Sequence, residues 1–373
     1  MKKKYRILHL STHLNLGGIT SWLLTAAPAL KKRGHEVSIA AGSDQTAAAF
    51  EALGVRVHRF DIRTKSEIHP KLLFALPGLA SLVKRERFDV LHAHTRVTQV
   101  LAKLAGAWTG VPFVSTAHGF YKARLGRRLF DAWGARVVAV SPLVAEELSR
   151  SHGVAASRIR VVPNAVDAPS IEAGIARQDR TAVRGSLGIP GDALVVTSIS
   201  RLVKDKGHEY LVEAAALLAD EMPRLHAVIL GDGRERPALE EQIRSRGLEG
   251  RVHLVAGVPD VTGVLAATDF FIHPATFREG FGLSIAEAMV ARKPVVATDI
   301  WAINTLLRGG REAILVPPKD AGALADAVRF LAGSPAEARA MAERGYAFAA
   351  QVSSLDRMAD ALENVYREAV EGG

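Results

Sequence analysis

The segment FFIHPATFREGFGLSIAEAMVARKPVVATD, residues 270–299, contains the pattern that decides the fold. Residues 270–273 and 294–297 are short apolar runs, and between them a glycine-rich loop leads into a helical pattern over residues 284–291. Two buried strands that are joined through a helix favour a parallel β-α-β unit. The carboxyl end of the first strand therefore leads directly into the loop that carries Glu279.

Apolar runs and helical patterns alternate in the same way from Tyr5 to Leu331. The runs are continuously apolar, as expected for strands whose two faces are covered by helices. The sequence thus predicts an α/β fold with two Rossmann-like, doubly wound parallel-sheet domains, a cleft between them, and ligand sites beyond the carboxyl ends of the strands. The predicted divisions are residues 1–165 for the N-terminal domain, 166–190 for a linker, 191–352 for the C-terminal domain and 353–373 for a final helix.

The composition is that of a soluble globular protein. The chain has 373 residues, of which 48% are hydrophobic and 23% are charged, so the composition argues against disordered and fibrous proteins. Cysteine is absent, which excludes a disulfide framework, a thiolate zinc site and a cysteine nucleophile, and fits a reducing compartment. No signal peptide and no membrane-spanning segment are predicted, so we expect a cytoplasmic location.

Charge is distributed unevenly along the chain. Residues 1–165 contain 25 Lys/Arg and 10 Asp/Glu, a net charge of +15, whereas residues 166–373 contain 23 and 29, a net charge of −6. The basic residues are not interleaved with aromatic residues and no nucleic-acid motif occurs, so nucleic acid is not predicted as a partner. An anionic membrane surface is the other candidate partner for the basic half.

One basic segment, KSEIHPKLLFALPGLASLVKRER over residues 65–87, places apolar residues between cationic flanks. This pattern is typical of segments that lie on anionic lipid, and a helix that faces the core with solvated lysines explains it equally well. Further cations follow at Lys122, Arg124, Arg127 and Arg128. The first interpretation predicts peripheral contact with the inner face of an anionic cytoplasmic membrane.

Cations and a helix start converge in TSISRLVKDKGHEYLVEAAALL, after the first strand of the C-terminal domain. Arg201 and Lys206 flank a loop between an apolar strand and a helix that begins near Gly207. Two cations and a helix N-terminus at the carboxyl edge of a sheet favour the binding of a diphosphate. A solvated loop also contains Arg and Lys, but the order of strand, cations, glycine and helix favours the phosphate site.

Glu279 and Glu287 are separated by seven residues, the first in a loop and the second within the following helix. Carboxylates at two depths accept hydrogen bonds from hydroxyls of one bound molecule, while the backbone amides of residues 280–283 favour a phosphate. The pattern predicts a ligand with hydroxyls at both ends and negative charge between them. A single Glu on a helix is more often solvated or ion-paired, but the complete string makes that interpretation the weaker one.

Two further loops at predicted strand ends in the N-terminal domain contain candidate residues. Gly17 and Gly18 lead into a helix, so they either allow a ligand to approach the backbone closely or serve the turn alone. His118 follows a strand and precedes a glycine, where a histidine is either structural or directed at a ligand.

Other histidines suggest a metal site, which we do not predict. His92, His94 and His273 lie at alternate positions on strands without a third matching ligand. The chain also lacks the Asp-x-Asp pair that commonly holds a divalent cation against a diphosphate. We therefore predict no metal and no other cofactor, and expect Arg201, Lys206 and backbone dipoles to neutralise the diphosphate.

Taken together, these motifs resemble those of the retaining glycosyltransferases with the GT-B fold, glycosyltransferase family 4. The similarity extends over nearly the whole chain and is carried by the Gly17-Gly18 loop, GHEV at 34–37, DVLHAH at 89–94, His118-Gly119, VVPNAVD at 161–167, the Arg201/Lys206 loop, GDG at 231–233 and EGFGLSIAEAM at 279–289.

The resemblance implies a role for each matching residue. Arg201 and Lys206 would hold the diphosphate of a nucleotide sugar, and Glu287 would contact the ribose. Glu279 would meet the donor sugar and His118 would contact that sugar near the reacting carbon, so the implied catalytic residues are His118, Glu279, Arg201 and Lys206. The last helix would cross back to the first domain. The implied substrate-binding positions are Gly17, Gly18, Asn164, Gly231, Gly233, Val258, Gly280, Phe281, Gly282, Leu283 and Glu287.

The chain departs from the family pattern at two places. Ala165 follows Asn164 where the family usually has glycine. After the strand PVVAT, the family often has paired glycines and a Glu, whereas this chain has DIWAINTLL with Trp301 where a small residue is common. The second departure bears on the shape of the donor-sugar pocket.

The predicted function is transfer of a hexosyl or N-acetylhexosaminyl group from a UDP- or GDP-sugar to a hydroxyl of a glycan or lipid-linked acceptor. Retention of anomeric configuration and a place in cell-surface polysaccharide or lipopolysaccharide synthesis are implied by the resemblance. The alternatives are a sugar-nucleotide epimerase of the same fold and a non-catalytic nucleotide-sugar-binding protein. A phosphorylase would need a pyridoxal phosphate site, for which no convincing residues occur.

Overall fold

The computed structural model describes residues 3–15, 17–43, 46–121, 130–280, 282–301, 303–307 and 310–372. The chain forms two compact units: unit 1 consists of Met1–Ala165 and Leu355–Gly373, and unit 2 of Val166–Ser354. Each unit contains one parallel sheet with helices packed on it. The predicted α/β class with two Rossmann-like parallel sheets is confirmed.

In the described part of unit 1, seven parallel strands are arranged in the order β3-β2-β1-β4-β5-β6-β7. Helices cover both sides of the sheet, so most of its buried side chains are apolar, with His9, His92 and Thr116 among the exceptions. The sequence pattern did not indicate the last strand, which is short. The strands are β1 Arg6–Ser11, β2 Glu36–Ala41, β3 Arg56–Arg59, β4 Val90–Ala93, β5 Phe113–Ala117, β6 Arg136–Ala139 and β7 Ile159–Val161.

Helices with clear end signals connect these strands. The Thr95 side chain accepts a hydrogen bond from the Thr98 amide at the start of one helix, which ends at Gly110 in the left-handed conformation. The helices of unit 1 are α1 Gly18–Lys32, α2 Ala47–Ala52, α3 Lys71–Arg85, α4 Arg96–Thr109, α5 Pro142–His152 and the C-terminal helix, numbered α15 below, Leu355–Glu371.

Helix α15 belongs to the core of unit 1. Leu362 and Tyr366 are fully buried in the cluster that contains β1 and β4 residues. The Tyr366 hydroxyl lies 2.8 Å from His92 Nδ1, and Glu368 forms ion pairs with Arg136 (2.6 Å) and Arg160 (2.7 Å). The C-terminal helix therefore packs in the same apolar core as strands β1 and β4.

In the described part of unit 2, six parallel strands follow the order β10-β9-β8-β11-β12-β13. The strands are β8 Leu194–Ile199, β9 Leu225–Leu230, β10 Val252–Val255, β11 Phe270–His273, β12 Val295–Thr298 and β13 Ile314–Val316. The helices are α6 Ala168–Ala176, α7 Arg180–Ser186, α8 His208–Leu217, α9 Arg236–Ser245, α10 Thr262–Ala267, α11 Leu283–Val290, α12 Ile303–Leu306, α13 Ala321–Gly333 and α14 Pro335–Val352.

Residues 166–190 differ from the predicted linker, because they form helices α6 and α7 within unit 2. Asp167 and Asp179 cap the two helices through hydrogen bonds to backbone amides. Arg184 is buried and donates to the Ala267 carbonyl and the Asp269 carboxylate, which fixes α7 against unit 2. These bonds give the segment a structure that its weak apolar pattern did not indicate.

Each sheet has one point where the strand order reverses direction, between β1 and β4 in unit 1 and between β8 and β11 in unit 2. The connections after these neighbouring strands leave in opposite directions, which opens a crevice at the carboxyl edge. The loop with Gly17 and Gly18 follows β1, and the loops with Lys206 and Glu279 follow β8 and β11. No helix in the described part of the chain is both long and apolar enough to cross a bilayer.

Candidate functional site

The loops after β8 and β11 bring two of the predicted site residues of unit 2 into contact. Lys206 Nζ forms an ion pair with Glu279 Oε1, and both side chains are largely buried. His273, the last residue of β11, places its Nε2 3.3 Å from the same carboxylate oxygen. The Lys206 ammonium, the Glu279 carboxylate and the His273 imidazole therefore lie together at the reversal point of the sheet.

The environment holds Glu279 in its ionised form. Burial alone raises the pKa of the Glu279 carboxyl, but the charge of Lys206 and the neighbouring His273 ring outweigh burial and lower this pKa to about 2. The carboxylate is therefore an acceptor of hydrogen bonds at neutral pH. It is suited to a hydroxyl-bearing ligand and not to proton donation.

Gly207 holds the two loops together. Its φ of +64° favours glycine, and a Cβ at this position would lie 2.1 Å from the Pro274 carbonyl oxygen. The Thr276 amide also donates to the Asp205 carbonyl at 2.9 Å. The close backbone approach explains why glycine stands between the cationic turn and helix α8, and why Lys206 lies next to Glu279.

Arg201 is exposed, and no carboxylate of the described residues pairs with it. It follows β8 at the same edge of the sheet as the Lys206–Glu279 pair. An unpaired guanidinium at this edge is available for an anionic ligand, whereas Lys206 is already partly compensated.

The N-terminus of helix α11 presents the positive end of the helix dipole. Gly282 is the N-cap residue of this eight-residue helix, with a φ of +78°, and as a glycine it supplies no side-chain cap. Leu283 is its first residue and Gly280 is half-buried in the preceding loop. Phe281, also predicted to bind substrate, lies outside the described residues. Free amides at a helix start favour an anion, as the sequence predicts.

Glu287 lies in the second turn of α11 and is half-buried. Burial raises the pKa of its carboxyl to about 7. The two glutamates of the motif thus have opposite electrostatic environments, one stabilised as an anion and the other close to half-protonated at neutral pH.

The remaining predicted positions of unit 2 have structural explanations of their own. A Cβ at Gly231 would lie 1.9 Å from the Ser200 carbonyl oxygen, and one at Gly233 would lie 2.1 Å from that of Leu202. Both glycines therefore let the loop after β9 pack on the backbone that follows β8. Val258, after β10, is exposed.

Trp301 lies beside the glutamate loop. The Arg278 guanidinium is 4.8 Å from the centroid of its ring, and a Cβ at Gly282 would lie 2.9 Å from the Ile303 side chain. The segment that departs from the family pattern therefore borders the loop with Glu279, which is where the sequence predicted an effect on the sugar pocket.

The predicted residues of unit 1 lie at the carboxyl edge of its sheet. Gly17 precedes α1 with a φ of 153°, and a Cβ at Gly18 would meet no atom of the described residues within 4 Å. Asn164 is buried and its Oδ1 has no hydrogen-bond partner among the described residues. The Asn164 amide oxygen and the open space at Gly18 are both compatible with a ligand.

Buried histidines surround the reversal point of unit 1. His9 Nδ1 lies 2.8 Å from His94 Nε2, and His94 Nδ1 lies 2.9 Å from His118 Nε2. Burial lowers the pKa of His9 and of His118 to about 3. His92 bonds instead to Tyr366 and, through Nε2 at 2.7 Å, to Thr116. These rings are neutral at physiological pH.

The expectation that His92 and His94 have no third matching ligand is corrected by the structure. The ring nitrogens of His9, His92 and His94 lie within 4.8 Å of one another, because β1 and β4 are neighbours although they are distant in sequence. Both nitrogens of His92 and of His94 take part in hydrogen bonds, so their lone pairs and protons are engaged by neighbouring side chains.

The sequence analysis missed His9 and did not connect His273 with Glu279. A histidine inside an otherwise apolar strand is the available signal for both, since a buried polar ring requires a partner. The partner itself is found only when the order of the strands is known.

Two family models match the chain: "Glycosyltransferase Family 4" over residues 16–169 and "Glycosyl transferases group 1" over residues 179–348. A D-inositol 3-phosphate glycosyltransferase of Saccharomonospora viridis is 28% identical over 95% of this chain and 90% of its own. An alpha-D-kanosaminyltransferase of Streptomyces kanamyceticus is 29% identical over 85% of this chain and 78% of its own.

Solved structures agree in fold. HepE of Anabaena, in complex with UDP and glucose, has a TM-score of 0.83 at 23% identity over 96% of this chain and 98% of its own. A glycosyltransferase from Rickettsia africae has a TM-score of 0.83 at 21% identity over 99% of this chain and 100% of its own. At these identities the likeness shows the fold alone.

The raised pKa of Glu287 predicts a pH-dependent stability. An acid whose folded pKa lies above its unfolded value stabilises the fold below about pH 4.5, and this contribution is lost as the pH rises through 7. Between pH 5 and pH 8 we expect wild type to lose about 1–2 kcal/mol of unfolding free energy relative to Glu287→Gln, allowing for partial exposure. Denaturant unfolding of both proteins at several pH values measures this difference.

Glu279→Gln is the matched control. The folded pKa of Glu279 is lowered, so the contribution of its carboxylate to the free energy of unfolding is lost only as the pH falls below about 4.5 towards 2. Its difference from wild type should stay constant between pH 5 and pH 8. A constant difference for Glu287→Gln over the same range would contradict the assignment.

Proposed function

Because this chain is a glycosyltransferase of the family 4 type with the GT-B fold, we propose that it transfers a glycosyl group from a nucleoside diphosphate sugar to an acceptor hydroxyl with retention of configuration. The observation that carries this proposal is the contact of Lys206 with Glu279 at the reversal point of unit 2, on the sheet edge where Arg201 and the loop into α11 also lie. Cations and free amides suit a diphosphate, and an ionised carboxylate suits sugar hydroxyls.

The donor is proposed to be a UDP- or GDP-sugar that carries a hexosyl or N-acetylhexosaminyl group. HepE, of the same fold, binds UDP and glucose, which supports a uracil nucleotide as the first choice for testing. In this proposal Arg201 and Lys206 hold the diphosphate, Glu287 accepts from the ribose, and Glu279 accepts from the sugar. His118 contacts the sugar near the reacting carbon.

The proposed step needs no protein base. The acceptor oxygen bonds to the anomeric carbon on the face from which the leaving group departs, while the bond from that carbon to the diphosphate oxygen breaks. The acceptor proton passes to the departing phosphate oxygen, so the products are the glycoside and the nucleoside diphosphate. Negative charge grows on the diphosphate as the bond breaks, and Arg201, Lys206 and the α11 amides would stabilise it.

A glycan or lipid-linked acceptor in cell-surface polysaccharide or lipopolysaccharide synthesis is the first acceptor class that we propose. The relatives named as D-inositol 3-phosphate glycosyltransferases favour a second class, a phosphorylated cyclitol. A panel of nucleotide sugars tested for thermal stabilisation identifies the donor. Nucleotide release measured with and without each acceptor then separates a transferase from an epimerase or a non-catalytic binder.

The diphosphate assignment predicts the effect of removing its cations. Lys206→Ala and Arg201→Ala should each lower turnover at least tenfold, since loss of one preorganised donor typically raises the barrier by about 3–4 kcal/mol. Lys204→Ala is the matched control, because Lys204 lies in the same turn, is exposed and pairs with Glu209 at 2.9 Å. Initial rates and circular dichroism are measured for all variants. Turnover like wild type in folded Lys206→Ala and Arg201→Ala would refute the assignment.

Charge neutralisation by side chains and amides predicts that a chelator leaves turnover unchanged. The measurement compares initial rates in EDTA, in buffer alone and in added Mg²⁺. A loss of activity in EDTA that Mg²⁺ restores would contradict this prediction.

Peripheral contact with an anionic membrane is proposed for unit 1, in line with its net charge. Helix α3 packs Leu72, Leu79 and Val83 into the core, as the core-facing interpretation predicts, and leaves Leu73 and Phe74 64% and 84% exposed. Ile68, just before the helix, is 90% exposed. The cations at 122–128 lie outside the described residues. Exposed apolar side chains among lysines suit a surface that lies on anionic lipid.

Vesicle sedimentation tests the membrane proposal. The double variant Ile68→Ser/Phe74→Ser should lower the bound fraction on vesicles with phosphatidylglycerol at least tenfold, because each lost apolar contact is worth about 1.5–3 kcal/mol. Leu217→Ser, at an exposed apolar position of unit 2, is the control. Equal binding of wild type to vesicles of phosphatidylcholine alone would count against the proposal.

A further inference from the structure

The three imidazoles of His9, His94 and His118 form a hydrogen-bonded chain inside unit 1. They are carried by β1, by the residue after β4 and by the residue after β5, so the chain runs across three neighbouring strands. The two bonds are 2.8 and 2.9 Å long. His9 and His94 have no solvent exposure, and His118, at the end of the chain, is half-buried.

All three rings are neutral, because burial lowers the pKa of each well below its usual value. A neutral imidazole has one N–H and one lone pair. His94 uses both nitrogens in the chain, so it donates to one neighbour and accepts from the other. The two hydrogen bonds therefore run in the same direction, and only two arrangements of the protons are possible.

The free end at His9 selects between these arrangements. His9 Nε2 is buried and has no hydrogen-bond partner among the described residues. If the bonds ran from His118 to His9, this atom would be a buried N–H without an acceptor, which is rarer in proteins than an unsatisfied acceptor. The nearby Trp22 indole, 6.1 Å away between ring centroids, can only donate, and its Nε1 is also without a partner among the described residues.

We propose that His9 and His94 are positioning residues that fix His118 in the tautomer with its hydrogen on Nδ1. His9 Nδ1–H donates to His94, and His94 Nδ1–H donates to His118 Nε2. The remaining nitrogen of His118, Nδ1, has no partner among the described residues and offers an N–H to a ligand. The ligand atom that meets it must be a hydrogen-bond acceptor, such as a sugar hydroxyl or phosphate oxygen, and His118 does not act as a base.

This inference rests on the proposed function for its consequence, since His118 is there the residue that contacts the donor sugar. The tautomer itself does not depend on that function. The assignment of the His118 tautomer and the proposed function can therefore fail separately, and the experiment has one readout for each.

Nitrogen NMR of the full chain with ¹⁵N-labelled histidine reports the tautomer directly. Signals are assigned by their disappearance in His9→Phe, His94→Leu and His118→Asn. In wild type we expect His9, His94 and His118 all to carry hydrogen on Nδ1. Hydrogen on Nε2 of His118 in wild type would overturn the proposal.

The kinetic readout compares two histidines of the same strand face. His94→Leu breaks both bonds of the chain and should lower kcat roughly tenfold or more, as loss of an orienting partner of a functional histidine does at other sites. His94→Asn retains an amide N–H near the position of Nδ1 and should recover much of that loss. His92→Leu is the control, since His92 is equally buried and makes two hydrogen bonds, but none to His118.

A purely structural role predicts that His92→Leu and His94→Leu lower kcat alike and that His94→Asn recovers nothing, and this result would overturn the proposal. If His9→Phe or His94→Leu does not fold, His118→Asn alone assigns the His118 signal, and the wild-type tautomer of His118 still decides. Hydrogen on Nδ1 of His118 in a protein that transfers no sugar to any acceptor would support the histidine chain and refute the proposed function.

Discussion

The parallel arrangement of both sheets is the constraint on which the rest of this structure depends. Parallel strands place all their carboxyl ends at one edge, so each connection after a strand begins at that edge. At β1/β4 and at β8/β11 the connections leave in opposite directions, and the polar loops have room there. Every candidate residue that the structure describes in unit 2 lies after a strand at this edge or in the first turns of α11.

In unit 2 this geometry buries one cation, Lys206, beside an anion and leaves another cation, Arg201, exposed. Lys206 is largely buried, and burial removes most of the water that would stabilise its charge. The carboxylate of Glu279 compensates for this loss by forming an ion pair with Lys206. Arg201 remains exposed and can interact with an incoming anion. The paired lysine keeps its position through the close contact of Gly207 with the Pro274 carbonyl, so orientation is set by backbone packing before any ligand binds.

In unit 1 burial changes what histidine can do. The interior of the sheet removes the charge of His9, His92, His94 and His118, so these rings act through the direction of their hydrogen bonds and not through proton exchange. Tyr366 of the C-terminal helix and Thr116 of β5 complete the bonds of His92. The Tyr366 hydroxyl thereby ties His92 to the C-terminal helix.

The sequence by itself determined the α/β class, the parallel strands, the Arg201/Lys206 turn and the Glu279/Glu287 motif, because apolar periodicity and local spacing are written in neighbouring residues. Only the tertiary structure decided that Lys206 pairs with Glu279, that the two glutamates have opposite pKa shifts, that helices α6 and α7 form within residues 166–190, and that His9 bonds to His94. These facts depend on which strands become neighbours and on how deeply each group is buried. Strand order and burial arise from contacts between residues far apart in sequence, so no local pattern contains them.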